Sequence, residues 1–181
     1  MKTESTVKFV IRLTVTLLII CVVMAGALGA VNQITAPMIA QIQYEKTQQA
    51  VSAVLEGGGD PIEFPATTNV NAVYQGANGY AVEVTPSGFG GTITMMVGVD
   101  NEGNVSGISV ISHAETAGLG DVAAASTSAG EAFRAQFKGL NGTISVTKDG
   151  GQVEAITSAT ITSRAICAGV NTALALVAAM G

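Results

Sequence analysis

The chain has 181 residues, a net charge of −5 and only 12% charged residues, enough for one domain and an appendage. No tryptophan, little aromatic content and no basic patch argue against nucleic acid as a partner. A single histidine, His113, cannot build a histidine metal cage, and two cysteines form no zinc signature, so neither a metal site nor a conventional catalytic set is expected.

No Asp, Glu, Lys, Arg or His occurs from Leu13 to Tyr44. Within that stretch Leu13–Val31 is almost wholly apolar and long enough to span a bilayer, which takes ~20 residues. Lys2, Lys8 and Arg12 precede it against Glu4 alone, so the N-terminus is expected in the cytoplasm and the remainder outside, in a single pass of the plasma (inner) membrane. A cleaved signal peptide is the competing reading, with Leu13–Met24 as its apolar core and Ala25-Gly26-Ala27 as a small-residue cleavage site. Beyond residue 12 the net charge of −5 becomes −7, with 12 Asp+Glu against 5 Lys+Arg. Cys21 lies in the apolar span and Cys167 near the C-terminus, both read as small packing residues.

Residues 32–56 carry apolar side chains at roughly helical spacing and read as a stalk helix, with Pro37 placed to kink it or open a new one. Gly57-Gly58-Gly59-Asp60-Pro61 ends it. Pro61–Gly79 reads mostly as loop, with one short strand near Ala72–Gln75. Strands follow at Tyr80–Thr85, Thr92–Val99 and, after the turn at Asp100–Asn104, Val105–Ile111. Gly130–Lys138 predicts a short amphipathic helix. Thr143–Val146 and Val153–Ile156 read as strands around the turn Lys148–Gly151, and a last helix runs from about Thr162 to Ala179. The order gives an anchor (residues 1–31), a stalk (32–56) and an α+β domain (57–181) whose antiparallel sheet is closed by a C-terminal helix.

Two segments stand out chemically. Thr157-Ser158-Ala159-Thr160-Ile161-Thr162-Ser163 places five hydroxyls just before the last helical pattern. Free N–H groups and the helix dipole make such a place suitable for a phosphate. A plain helix cap is the other reading, since Ser and Thr are favoured there for their own oxygens. His113–Gly120 follows a strand directly, and Gly118 and Gly120 would let a ligand approach the backbone or let the loop simply turn wide.

Both segments carry a family resemblance. The chain resembles the G subunit of the Rnf complex, the membrane-bound ferredoxin–NAD oxidoreductase, and the related C subunit of the sodium-pumping NADH–quinone oxidoreductase. The likeness covers nearly the whole chain, including Gly79–Pro86, Gly90-Gly91, Met96–Asp100, the His113–Gly120 loop (similar to the family's Glu-Thr-Pro-Gly-Leu-Gly element) and Glu154–Ser163. The family's flavin attachment pattern is Asp-x-x-Ser/Thr-Gly-Ala-Thr. Glu154 falls at its Asp, Thr157 at Ser/Thr, Ser158 at Gly, Ala159 at Ala and Thr160 at the acceptor. Glu154 departs by length, Ser158 by carrying a side chain where a positive φ would cost energy, and Ala117 by replacing a proline.

The resemblance implies an extracytoplasmic FMN-binding domain with FMN held covalently as a phosphodiester on Thr160. Thr157, Ser158, Ala159, Thr162 and Ser163 would surround the phosphate, and Glu115, Thr116, Gly118 and Leu119 would lie along the flavin, with Glu115 near donors rather than the phosphate. It implies a flavin transferase that moves FMN from FAD, membrane partners (the A, D and E subunits), peripheral partners (the B and C subunits), membrane lipid, and an electron-relay role in an ion-translocating oxidoreductase. A membrane-tethered reductase working alone and a flavin-free module are the alternatives.

Overall fold

The computed structural model describes residues Thr3–Met180, with side chains from Thr6 onward; Lys2 and the side chain of Glu4, used above for orientation, lie outside the described residues. Helix α1 runs Thr3–Val54, and the chain divides into two compact units, one ending at Tyr44 and the other beginning at Glu45. In the first unit every described side chain is exposed, including Leu17, Leu18, Ile20, Val22, Val23 and Leu28. Apolar residues all round a helix are a membrane signature, and this helix is long and apolar enough to cross a bilayer. Pro37 sits inside α1, which continues through it.

The second unit is an α+β domain. Its strands are β1 (Asp60–Ile62), β2 (Val70–Gly76), β3 (Gly79–Val84), β4 (Thr94–Asp100) and β5 (Val105–Ser112), paired antiparallel in sequence order. β2 and β3 meet in a tight hairpin at Gly76↔Gly79. After β5 come a 3-10 turn (Gly120–Ala123), α2 (Ser128–Ala135), a second 3-10 turn (Thr147–Asp149) and α3 (Thr160–Met180). Thr127 caps α2 by accepting from Gly130 N at 3.3 Å.

Alternation along the strands sorts the core into two layers. Val82, Val84, Met95, Val97 and Val99 pack with Phe133, Phe137, Ile166, Val170, Ala173 and Leu176 on the α2/α3 side. Ala81 and Met96, pointing the other way, pack with Ala50, Val51, Val54 and Leu55 at the end of α1. Gly98 lets that helix end come close, because a Cβ there would stand 2.5 Å from the Val54 carbonyl oxygen. Ser106 Oγ donates to the same oxygen at 2.6 Å. α3 also has the length of a membrane span, but Ala165, Ile166, Val170, Ala173, Leu176 and Val177 are buried in the domain core. Burial raises the Cys167 thiol pKa there to about 11.

Three local expectations are corrected. β1 forms where a loop was expected, and β2 extends beyond Ala72–Gln75; Pro61 is tolerated because β1 is an edge strand. Thr143–Val146 and Val153–Ile156 do not form strands: their only pairing is a parallel bridge, Val146↔Val153. Ile144, Val146 and Val153 are buried, which produced the strand-like pattern. Beyond that bridge the Ile144 backbone pairs with a side chain, Asn171 Oδ1 accepting from Ile144 N at 2.8 Å and Asn171 Nδ2 donating to Ile144 O at 2.8 Å. Finally, α3 opens at Thr160 rather than Thr162, which puts Thr160 in its first turn.

Candidate flavin site

The start of α3 is shaped by its own hydroxyls and one unusual backbone angle. Ser158 has φ 63°, in the left-handed region, so the chain turns sharply just before the helix. The turn is closed by Ala159 N donating to Ile156 O at 3.0 Å. Ser163 Oγ accepts from Ile156 N at 3.0 Å and donates to Ala159 O at 3.0 Å. The first backbone bond of the helix is Ser163 N to Ala159 O, at 3.0 Å. The N–H groups of residues 160–162 therefore precede any intrahelical acceptor and are directed out of the helix end. Ala159 has no side-chain oxygen with which to cap them.

In front of this end lies a cavity of about 350 Å³, bounded by Ser158–Thr162 on one side and by Phe89, Glu115, Thr116, Leu119 and Gly120 on the other. Phe89, Leu119 and Ile161 are exposed apolar side chains at its rim. Glu115 ties the walls together. Gly90 N donates to its Oε1 at 2.9 Å, and Thr162 Oγ1 donates to its Oε2 in a short contact. Gly88 and Gly120 leave room for that carboxylate: a Cβ on Gly88 would meet Glu115 Oε1, and one on Gly120 would lie 2.5 Å from Oε2 and 2.7 Å from Thr162 Oγ1.

The Thr160 hydroxyl has a cation beside it. Lys148 Nζ donates to Thr160 Oγ1 at 3.3 Å. The neighbouring Asp149 accepts from Arg164 Nε and Nη2 at 2.7 Å each. This fork holds the Asp149 carboxyl below its usual pKa and raises that of Arg164.

Of the residues singled out in the sequence, Thr160, Ser158, Ala159, Thr162, Glu115, Thr116 and Leu119 line one cavity. Ser163 lies behind it, fully buried, its hydroxyl in the two internal bonds. Thr157, Gly118 and Glu154 line a neighbouring hollow of about 610 Å³ against α2. Lys148, Phe89, Ile161 and Arg164 were missed. The only signals available were a lysine in a glycine-rich turn and single apolar residues inside a glycine run and a hydroxyl run, none of which fixes a location.

A hydroxyl, an ammonium and unsatisfied N–H groups suit a phosphate, and the exposed apolar rim suits a flat aromatic body. Fold and site together define an FMN-binding domain, and residues 88–175 match the family model described as FMN-binding domain. That match begins at the cavity wall beside Phe89 and runs into α3, so it contains the whole cavity. Over 174 residues the chain is 32% identical to the G subunit of the proton-translocating ferredoxin:NAD(+) oxidoreductase complex of Clostridium ljungdahlii, covering 91% of this chain and 90% of that protein. It is 30% identical over 188 residues to the G subunit of the Na(+)-translocating ferredoxin:NAD(+) oxidoreductase complex of Acetobacterium woodii, covering 91% and 89%. The chain belongs to the G-subunit family of ion-translocating oxidoreductase complexes.

Proposed function

We propose that this chain is the electron-relay subunit of a membrane-bound, ion-translocating ferredoxin–NAD oxidoreductase complex, and that it carries FMN as a phosphodiester on Thr160. The observation that carries the reading is the first turn of α3: a half-buried threonine hydroxyl at the mouth of the cavity, with Lys148 Nζ 3.3 Å from its oxygen. In this reading residues 1–31 anchor the chain in the plasma membrane with the N-terminus in the cytoplasm, residues 32–56 are the stalk, and residues 57–181 work outside. The other subunits of the complex exchange electrons with it.

Attachment is a group transfer without redox change. The Thr160 oxygen bonds to the flavin-side phosphorus of FAD, the pyrophosphate P–O bond breaks, AMP leaves, and the hydroxyl proton passes to the transferase or solvent. Once bound, FMN would supply reversible one- and two-electron transfer. The chain's residues supply the rest. Helix N–H groups at 160–162 and Lys148 hold the phosphate. Phe89, Leu119 and Ile161 cover apolar flavin surface. Glu115, already accepting from Gly90 and Thr162, keeps the walls at a fixed separation. A covalent bond prevents loss by dilution outside the cell.

Intact mass of the full chain from a host containing a flavin transferase tests the proposal. We expect the added mass of one FMN ester and in-gel fluorescence, both abolished by Thr160→Ala with the fold retained. An unmodified chain, or fluorescence that survives Thr160→Ala, refutes the assignment.

A further inference from the structure

We propose that Lys148 is the counter-charge of the acceptor site and that the Asp149–Arg164 pair is the device that positions it; this rests on the reading of Thr160 as acceptor. The 3-10 turn carrying Lys148 is stiff. Asp149 N and Gly151 N both donate to Val146 O, at 2.8 and 3.0 Å, and Thr147 N donates to Val153 O at 2.8 Å. Gly150 closes the turn at φ 83°. Gly151 has no room for a Cβ, which would strike the Ser145 carbonyl.

Two successive side chains of this turn reach two residues one helical turn apart on α3: Lys148 to Thr160, and Asp149 to Arg164. Residues four apart share a helix face, so the pair of contacts sets the turn square against the helix start. The Asp149 and Arg164 side chains are 39% and 51% exposed. Exposed ion pairs contribute little to stability. Their planar two-point geometry, however, fixes orientation. With Asp149 pinned, the backbone that carries the adjacent lysine is held beside the start of α3, where its ammonium reaches the Thr160 oxygen.

Lys148 makes no ion pair of its own among the described residues. The cavity carboxylate, Glu115, is already engaged by the Gly90 N–H and the Thr162 hydroxyl. The ammonium therefore has donors to spare, one charge to match the single negative charge of a phosphodiester. It also acts before the bond exists. Beyond residue 12 the chain has a net charge of −7 (5 Lys+Arg against 12 Asp+Glu), which repels an anionic dinucleotide. A cation at the acceptor hydroxyl offsets that repulsion where the pyrophosphate must arrive.

The test uses full-length apoprotein in detergent, made in cells without a transferase, then supplied with purified flavin transferase and FAD. Lys148→Ala should keep the wild-type melting temperature yet lower the initial rate of covalent flavin incorporation by ~5–10-fold at low salt, the size of one exposed charge contact. Its salt dependence should be flatter than wild type. Lys148→Arg should keep most of the rate. Asp149→Asn/Arg164→Gln, which removes the pair without changing the net charge, should fall between, raising the apparent KM for the apoprotein more than it lowers kcat, and should add nothing in a Lys148→Ala background. Wild-type rate and salt dependence in Lys148→Ala overturn the proposal. Equal losses in Lys148→Ala and Lys148→Arg with lowered melting temperatures also overturn it, since the turn would then be only structural. If wild type takes no flavin, or Thr160→Ala still takes it, the proposal falls with the acceptor reading, and the Thr160 arm identifies that cause.

Discussion

Ser158 carries a side chain at a backbone angle that favours glycine, so replacing it is the most direct test of how the turn before α3 is built. Its φ of 63° belongs to the left-handed region, where an L side chain costs roughly 1–2 kcal/mol. Glycine removes that cost but adds roughly 0.5–1 kcal/mol of conformational entropy to the unfolded chain. The net expectation for Ser158→Gly is a gain of about 0.5–1 kcal/mol. For a domain of this size that raises the melting temperature by ~2–4 °C. Ser158 is exposed, so no packing change confuses the result. Ser158→Asn should be close to wild type, because Asn tolerates this region, and Ser158→Val should be lower, because branching at Cβ makes it a strained residue there. Scanning calorimetry or urea unfolding of the flavin-free chain measures the series. An order other than Gly above Asn and Ser, with Val last, would refute the claim that the turn is strained at this residue. A stabilised Gly variant should also accept flavin at least as fast as wild type, since Thr160 keeps its place.

Gly98→Ala places a methyl group 2.5 Å from the Val54 carbonyl oxygen; overpacking of this kind costs about 1–3 kcal/mol, and a lowered urea midpoint should report it. Glu115→Ala removes the acceptor of Gly90 N and Thr162 Oγ1. Hydrogen bonds to a charged group contribute about 1.5–3 kcal/mol, so thermal stability and flavin incorporation should fall together, while Glu115→Gln keeps part of both. Because Arg164 holds the folded pKa of Asp149 below its ordinary value, the Asp149–Arg164 contribution is present above the ordinary carboxylate range and disappears as pH falls through the lowered pKa. Proton titration by NMR should show Asp149 protonating below pH 3.8, its ordinary value, and Arg164→Gln should bring it back up.

The large features were legible in the sequence because each has a strong periodic or compositional cause. The uncharged run from Leu13 to Tyr44 marks the apolar helix, alternation marks β3 to β5, and the alanine-rich pattern marks α3. Alternation failed at residues 143–156. Burial of Ile144, Val146 and Val153 gives the same pattern as a strand, while the partner of the Ile144 backbone is an amide at residue 171. Hydroxyls at Thr160 and Thr162 pointed to the site by type and spacing. Lys148 did not, since its meeting with Thr160 depends on a turn folded back across twelve residues. Phe89 was hidden for a similar reason: a run of glycines states that the backbone bends, not what it bends toward.

Asn171 ties a segment before the Lys148–Asp149 turn to the far half of α3. One side-chain amide, well past Thr160, holds the segment that leads into the Lys148 turn. The same helix contributes Thr160 and Arg164. A chain still missing residues beyond 170 would thus contain all of residues 154–163 and lack the amide that holds Ile144 in place. With Thr160 as the proposed acceptor, an enzyme that recognises the assembled site rather than the bare string would act on the complete domain and pass over such a fragment.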